Sequence, residues 1–257
     1  MFANHKIIAF ETIVIKEVRR FSRIWLQTLV PPAITIGLYF VIFGNLVGRR
    51  IGEMGGFQYM EFIVPGLIMM SVIQNSYSNV TSSFFSHKFQ RSIEELLVSP
   101  VPNYVIVSGF VMGGMARGLA VGAIVTTMSL IFAELNIQNP LITIAVILMT
   151  SMVFSLAGFI NAGLANSYDD ISIIPTFVLT PLIYLGGVFY SIQMLPPFWQ
   201  FVSAINPIFY MVNTFRYGIL GSSDVNVYWA FLILCVFIII LYSGCIWMLR
   251  HGTGIRN

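Results

Sequence analysis

The chain has 257 residues, 57% hydrophobic and only 9% charged, with a mean hydropathy of +0.86. A water-soluble surface needs roughly 25% charged residues, so an ordinary soluble domain is excluded and the main solvent is lipid. The net charge of +3 is mild, and no basic patch is interleaved with aromatics, which argues against nucleic acid as a partner.

Apolar stretches of about 20 residues, enough to cross a bilayer core, recur along the whole length. Six are counted, leaving no room for a separate soluble domain, so residues 1–257 read as one all-α membrane domain. The first begins only near Trp25, after a charged segment, unlike a cleaved signal peptide.

Residues 5–23 read as an amphipathic interfacial helix. Ile7, Phe10, Val14, Val18 and Phe21 form one stripe, and Lys16, Arg19, Arg20 and Arg23 cluster opposite. Its apolar side suits the acyl boundary; its cations suit anionic headgroups or a protein beneath the membrane. The first span is expected at 24–47, with Pro31 and Pro32 in its first turns, where missing donors are best tolerated. A Gly-rich loop, GRRIGEMGG, follows. The second span, 61–85, carries the polar run SVIQNSYSNVTSS, whose side chains must face a helix bundle, a subunit interface or a wet cavity. The sequon at Asn79 lies too deep to be a glycosylation site.

The next stretch, HKFQRSIEELLVSP, concentrates charge in a chain that has little. Phe89, Ile93, Leu96 and Leu97 fall at helical spacing, predicting a short amphipathic helix over 86–100 that ends before Pro100. Arg91 precedes Glu94 and Glu95, the weaker order for an internal pair, and the acids are expected near the C-terminal, unfavourable end of the helix dipole. Two readings follow: a partner of complementary charge, or a solvated loop.

Residues 103–135 are too long for one perpendicular crossing, so part must tilt, break or project. Gly109, Gly113, Gly114, Gly118 and Gly122 supply three G-x-x-x-G pairs, which permit close helix approach and also mark breaks. Arg117, in GGMARGL, is the one ionisable residue placed deep in a span. It is expected either to snorkel or pair with a carbonyl, or to meet an anionic substrate or act in gating. A fourth span follows Pro140 and ends in a turn at Asp169–Asp170, where a capping role suits the acids. The fifth, 171–190, contains Pro175 and Pro181, so kinks are expected. Residues 191–227, broken by Pro196–Pro197 and Asn206–Pro207, read as short half-embedded helices. The last span is bounded by aromatic belts at Tyr228, Trp229 and Trp247. Cys235 and Cys245 lie in it on different faces, which rules out a disulfide between them.

With six spans, nine cations (Lys6, Lys16, Arg19, Arg20, Arg23, Lys88, Arg91, Arg250, Arg256) fall on one side and only Arg49, Arg50 and Arg216 on the other. The positive-inside rule then places both termini and the charged loop in the cytoplasm. The chain has no G-x-x-x-x-G-K-[ST], so it makes no phosphate cradle of its own, and His5, His87 and His251 are isolated from other metal ligands. Neither nucleophile nor metalloprotease patterns occur, so no catalytic or metal residues are assigned.

Three segments in order, FQRSIEELLVSPV (89–101), PLIYLGGVFYSIQMLPPFWQ (181–200) and NPIFYMVNTFRYGILG (206–221), resemble the integral-membrane subunits of ABC-2 type ABC transporters, nearest the small bacterial inner-membrane permeases. With the amphipathic N-terminal helix, the likeness covers nearly the whole chain. The resemblance implies a type-2 exporter fold: six transmembrane helices, an interfacial helix, a cytoplasmic coupling helix at 86–100 and re-entrant helices within 191–227. It implies an exporting homodimer bound to two copies of a separate ABC ATPase, which would hold ATP and Mg; this chain would be non-catalytic and bind no cofactor. Carried over, Phe89, Arg91, Ile93, Glu94, Glu95, Leu96 and Leu97 become ATPase contacts. An ATP-independent channel or secondary carrier is the alternative. The resemblance leaves the substrate open; Tyr39, Phe40, Tyr184, Phe189 and Tyr190 are aromatics of the kind that line sugar pathways, and also of the kind found in membrane belts.

Overall fold

A computed structural model describes residues 2–254; Arg256, counted above among the cations, lies outside them. The chain is almost entirely helical. Helix α1 (Phe2–Arg23) leads through a turn into α2 (Trp25–Thr28) and α3 (Val30–Tyr39), which starts with Pro31 and Pro32 in its first turn. A π-helical stretch (Phe40–Val47) and α4 (Gly48–Ile51) continue it. The Gly-rich loop is a small antiparallel hairpin, β1 (Glu53–Met54) and β2 (Phe57–Gln58). Gly55 and Gly56 turn it at φ +61° and +82°, which side chains resist and a tight hairpin needs.

Helix α5 (Tyr59–Phe89) has 31 residues, about 46 Å, and is the axis of the molecule. Then come α6 (Ser92–Val98), α7 (Asn103–Ser129) and α8 (Pro140–Leu164). The run 170–184 is α9 (Asp170–Ile174), a π-helical turn at Pro175–Leu179 and α10 (Thr180–Tyr184). Two helices, α11 (Pro197–Ile205) and α12 (Pro207–Leu220), precede α13 (Val227–His251). They break where the proline pairs predict; Asn206 caps α12 by accepting from Ile208 N at 3.0 Å and ties it to α10 by donating to Leu182 O at 2.6 Å.

Among the described residues, four stretches are long and apolar enough to cross a membrane: Trp25–Gly44, Asn103–Ser129, Pro140–Leu164 and Val227–His251. The count of six is thus not reached on length and composition. Helix α5 is long enough, but its Ser, Asn, Gln and Thr side chains lower its hydropathy; it is packed against α7, α8 and α12 and tied to α1 through Asn79 and Ser83. The other missing stretch, 170–184, is too short for a straight crossing at 1.5 Å per residue. The glycine-rich α7 is one continuous helix ending at Ser129, so the expected excess length is resolved by termination, not by a break.

Two apolar clusters stack along α5. One gathers Ile36, Phe40, Ile63, Leu67, Ile68 and Phe215; the other, toward the α5 C-terminus, gathers Ile13, Phe84, Phe110, Phe159, Ile93 and Cys245. The glycines of α7 are divided between neighbours. A Cβ on Gly109 would stand 2.6 Å from Ile13 Cγ2, and one on Gly113 would strike Glu17, so this face seats α1. Gly114, Gly118 and Gly122 face Val80, Ser76 and Val72 of α5.

Candidate functional site

The charged stretch adopts a geometry that the helical spacing conceals. Helix α5 continues to Phe89, and Arg91 takes a left-handed conformation at φ 59°, the only non-glycine among the described residues to do so. Phe89 is therefore the last residue of α5, 61% exposed, with its ring 5.1 Å from that of Tyr168. Ser92 secures the turn: its hydroxyl lies 2.8 Å from His87 Nδ1 and donates to the His87 carbonyl at 3.3 Å.

Because α6 begins at Ser92, Glu94 and Glu95 sit in its first turn, at the favourable end of the dipole. The expectation that they oppose the dipole is corrected: local helix stability accounts for part of their placement. Among the described residues Arg91 forms no ion pair with them. Ile93 is only 1% exposed, packed with Phe84, Phe85 and Phe110, so it anchors α6 and offers no surface to another protein in this conformation. Leu96 and Leu97 are half-buried against the same cluster, while Phe89, Arg91, Glu94, Glu95 and Val98 face outward.

A cleft of about 300 Å³ separates α6 from α1, lined by Ile13, Lys16, His87, Ser92, Glu95 and Phe110 among others. Burial, then Lys16 and Arg20, push the His87 imidazole down to about 4, so it is neutral near pH 7. Lys88 donates to the Gly163 carbonyl at 2.9 Å and to that of Ala165, satisfying the end of α8 with a cation. Asp170 accepts from Asn166 N at 2.9 Å and Ser167 N at 3.1 Å; these bonds hold its carboxyl below the usual range and close the turn beside Lys88.

Helix α1 is bolted to this assembly. Its buried line is Ile13, Glu17 and Phe21, about one residue round from the apolar stripe, and Ile7 and Ile15 of α1 remain exposed. The rotation follows from what α1 meets: glycines of α7 on one side and the polar face of α5 on the other. Arg20, expected to reach headgroups or another protein, turns inward instead; its Nη2 donates to Asn79 O at 2.9 Å and to Asn79 Oδ1 at 2.8 Å. Glu17, 1% exposed, accepts from Arg20 at 3.3 Å and from Ser83 Oγ at 2.6 Å. Asn79 is itself buried, its side chain taken up by Arg20.

One turn along α5, Asn75 Oδ1 accepts from Arg117 Nη2 at 3.2 Å, and the same nitrogen reaches Thr28 O at 3.4 Å. Arg117 thus joins α7, α5 and the end of α2, without any helix break. Together Arg20–Asn79 and Arg117–Asn75 form a polar seam that the serine- and asparagine-rich half of α5 exists to serve.

Two functional candidates escape sequence reading. Glu17 is one of two acids on a basic helix, and Ser83, 66 residues away, makes it a buried tie to α5. Arg216, counted in the sequence only among the cations opposite the charged loop, is buried in α12, where it donates to Gly187 O at 2.7 Å, Asn213 Oδ1 at 3.2 Å and Phe62 O at 3.3 Å, with its guanidinium 3.8 Å from the Phe62 ring centroid. Among the described residues no three His, Cys, Asp or Glu side chains converge as a metal site would require.

Comparison with known proteins agrees with this architecture. The family model described as "ABC-2 type transporter" matches residues 8–220. The chain is 57% identical over 250 residues to "Inner membrane transport permease YadH" of Escherichia coli (strain K12), covering 97% of this chain and 98% of that one. It is 24% identical over 215 residues to "Nodulation protein J" of Rhizobium leguminosarum bv. viciae, covering 83% of each chain, and 23% identical over 229 residues to the protein of that name from Neorhizobium galegae, covering 86% and 87%. A match spanning most of the chain, on a helical membrane bundle whose charged α5–α6 turn and proline-broken α11 and α12 fall where the three segments predict, places this protein in the ABC-2 type transporter family.

Proposed function

We propose that the chain is the permease subunit of an ATP-driven exporter in the bacterial inner membrane, working as a homodimer with two copies of a separate ABC ATPase that holds ATP and Mg. Six crossings are assigned by adding α5, shielded from lipid by its neighbours, and the kinked run 170–184 to the four apolar stretches. Both termini and α6 then lie in the cytoplasm. Residues 191–227, with α11 and α12, form the re-entrant segment at the opposite end.

The observation that carries the reading is the division of labour in α6. Ile93, Leu96 and Leu97 root it in the core beneath α5 and α7, while Glu94 and Glu95 stand exposed beside Phe89, Arg91 and Val98. A short helix rooted this way transmits a push from an outside protein to two long helices. The sites are therefore revised to an outer set (Phe89, Arg91, Glu94, Glu95) for docking and an inner set (Ile93, Leu96, Leu97) for anchoring.

The test is co-purification. Glu94→Lys with Glu95→Lys reverses the exposed charge and leaves the anchors intact, so membrane insertion is retained while the ATPase dissociates. If the doubly reversed chain still brings down its ATPase in full amount at moderate salt, α6 is not the docking helix. Transport by the purified chain alone in liposomes would replace the ATP-driven reading with that of a channel or carrier.

A further inference from the structure

At the end of α5 away from α6, a cavity of about 530 Å³ opens between the hairpin, the 191–194 turn and the loop after α12. Its size lies in the range of small-molecule sites. The charges are layered. At the floor is Arg216, 2% exposed, with Asn213 and Phe62; at the rim are the exposed carboxylates Glu53 and Asp224.

Arg216 has five N–H donors, of which three are used on Gly187, Asn213 and Phe62, leaving one on each terminal nitrogen. No carboxylate is in ion-pair contact with it, Asp224 at the rim favouring its charge only through space, and the one ion pair among the described residues is Glu17–Arg20. A buried guanidinium is ordinarily balanced by an anion, and two remaining N–H groups suit carboxylate or phosphate oxygens. Of the rim acids, Asp224 accepts from Ser191 Oγ at 3.3 Å on Oδ2 alone, so acceptor capacity remains for a cation. A cation at the floor and anions at the rim reject a simple anion in favour of a molecule with both charges, anionic end first.

We infer that this cavity binds a phosphoamine zwitterion, its phosphate on Arg216 at the floor and its primary ammonium on Glu53 and Asp224 at the rim. A primary ammonium offers three donors to the two carboxylates. A phosphate presents three acceptor oxygens to the two remaining N–H groups, where a carboxylate presents two. Such a group is carried by an aminophospholipid headgroup or by a soluble phosphoamine. The assignment stands apart from the transport reading, because it depends on neither the ATPase nor the direction of export.

The probe is O-phosphoethanolamine, followed by saturation transfer from the full chain in phosphatidylcholine nanodiscs to its methylene protons. A saturable signal is expected, and inorganic phosphate or glycine should need roughly threefold to tenfold more to displace it, as two exposed ion pairs provide. Glu53→Gln with Asp224→Asn alters only exposed side chains; there phosphate should displace the probe within about twofold of phosphoethanolamine itself. Arg216→Gln should abolish the signal, but since it also disturbs the core, the rim variants carry the test. No saturable signal in the unmodified chain overturns the proposal, as does displacement by phosphate or glycine on equal terms, or discrimination that survives the rim substitutions. A signal suppressed in phosphatidylethanolamine nanodiscs supports the proposal and identifies the lipid headgroup as occupant; an equal signal in both supports it and identifies a soluble ligand.

Discussion

Ser83 on α5 donates a 2.6 Å hydrogen bond to Glu17 on α1, and the second Glu17 oxygen receives Arg20 at 3.3 Å. A carboxylate only 1% exposed is thereby satisfied on both oxygens, and an amphipathic helix that composition alone would leave floating on lipid is fixed to the bundle. Because Ser83 and α6 share the last turns of α5, displacement of α6 would be felt at α1.

Removing the carboxylate should expose the strength of that tie. Glu17→Ala orphans the Ser83 hydroxyl and leaves Arg20 with Asn79 alone, and is expected to destabilise the chain by about 1–3 kcal/mol. Glu17→Gln, which still accepts from Ser83, should cost less. Thermal unfolding in detergent checks the order, and equal stability of the alanine variant and the parent chain would refute the tie.

The glycines of α7 make a directional prediction. A methyl on Gly113 strikes Glu17, whereas one on Gly118 strikes Ser76. Each alanine substitution should cost about 1–3 kcal/mol through overpacking, against a helix-propensity gain of about 1 kcal/mol. The consequences differ in place: Gly113→Ala should speed tryptic cleavage at Lys16 and Arg19, while Gly118→Ala, which parts α5 from α7, should leave that cleavage nearly unchanged. Identical cleavage patterns would mean that α1 does not rest on Gly113.

Much of this was legible in the sequence because it is periodic. The apolar run of α13, the polar half of α5, the small residues of α7 and the breaks at Pro197 and Pro207 all announce themselves at fixed spacing. What stayed hidden depends on single conformations or distant residues. The left-handed Arg91 splits one apparent amphipathic helix into the end of α5 and a new helix, which moves Phe89 out of the stripe and Glu94 to a favourable end. No residue preference signals that turn, since left-handed backbone is the habit of glycine and asparagine, not arginine. Glu17 and Arg216 likewise look like surface charges until Ser83 and Gly187 are brought to them from far along the chain. The span read at 61–85 falls on α5, which is too polar to be recognised as a crossing by hydropathy alone because its polar half faces protein.

Arg117 and Asn75 should be energetically coupled. Arg117→Met removes the bond to Asn75 Oδ1 at 3.2 Å while preserving much of the apolar stem. Asn75→Ala removes the acceptor from the other side. Each substitution should lower stability, and the double substitution should fall short of their sum by about 0.5–2 kcal/mol, as for residues in one hydrogen-bonded network. Strict additivity in detergent unfolding would show that the seam does not bind α7 to α5.

Acidification should loosen the α5–α6 turn through His87. Its folded-state value of about 4 lies below the ordinary 6.5, because burial and the charges of Lys16 and Arg20 disfavour the imidazolium. Between those values the unfolded chain binds more protons, so this contribution to stability is fully present above pH 6.5 and is lost as pH falls toward 4. His87 Nδ1 also lies 2.8 Å from the Ser92 hydroxyl, so the imidazole that charges is part of the turn that launches α6. The unmodified chain should therefore lose thermal stability between pH 7 and pH 5 more steeply than His87→Gln, which keeps a polar side chain but cannot charge. If the two pH profiles run parallel through that window, the imidazole is not the group that titrates and the turn is held by other means.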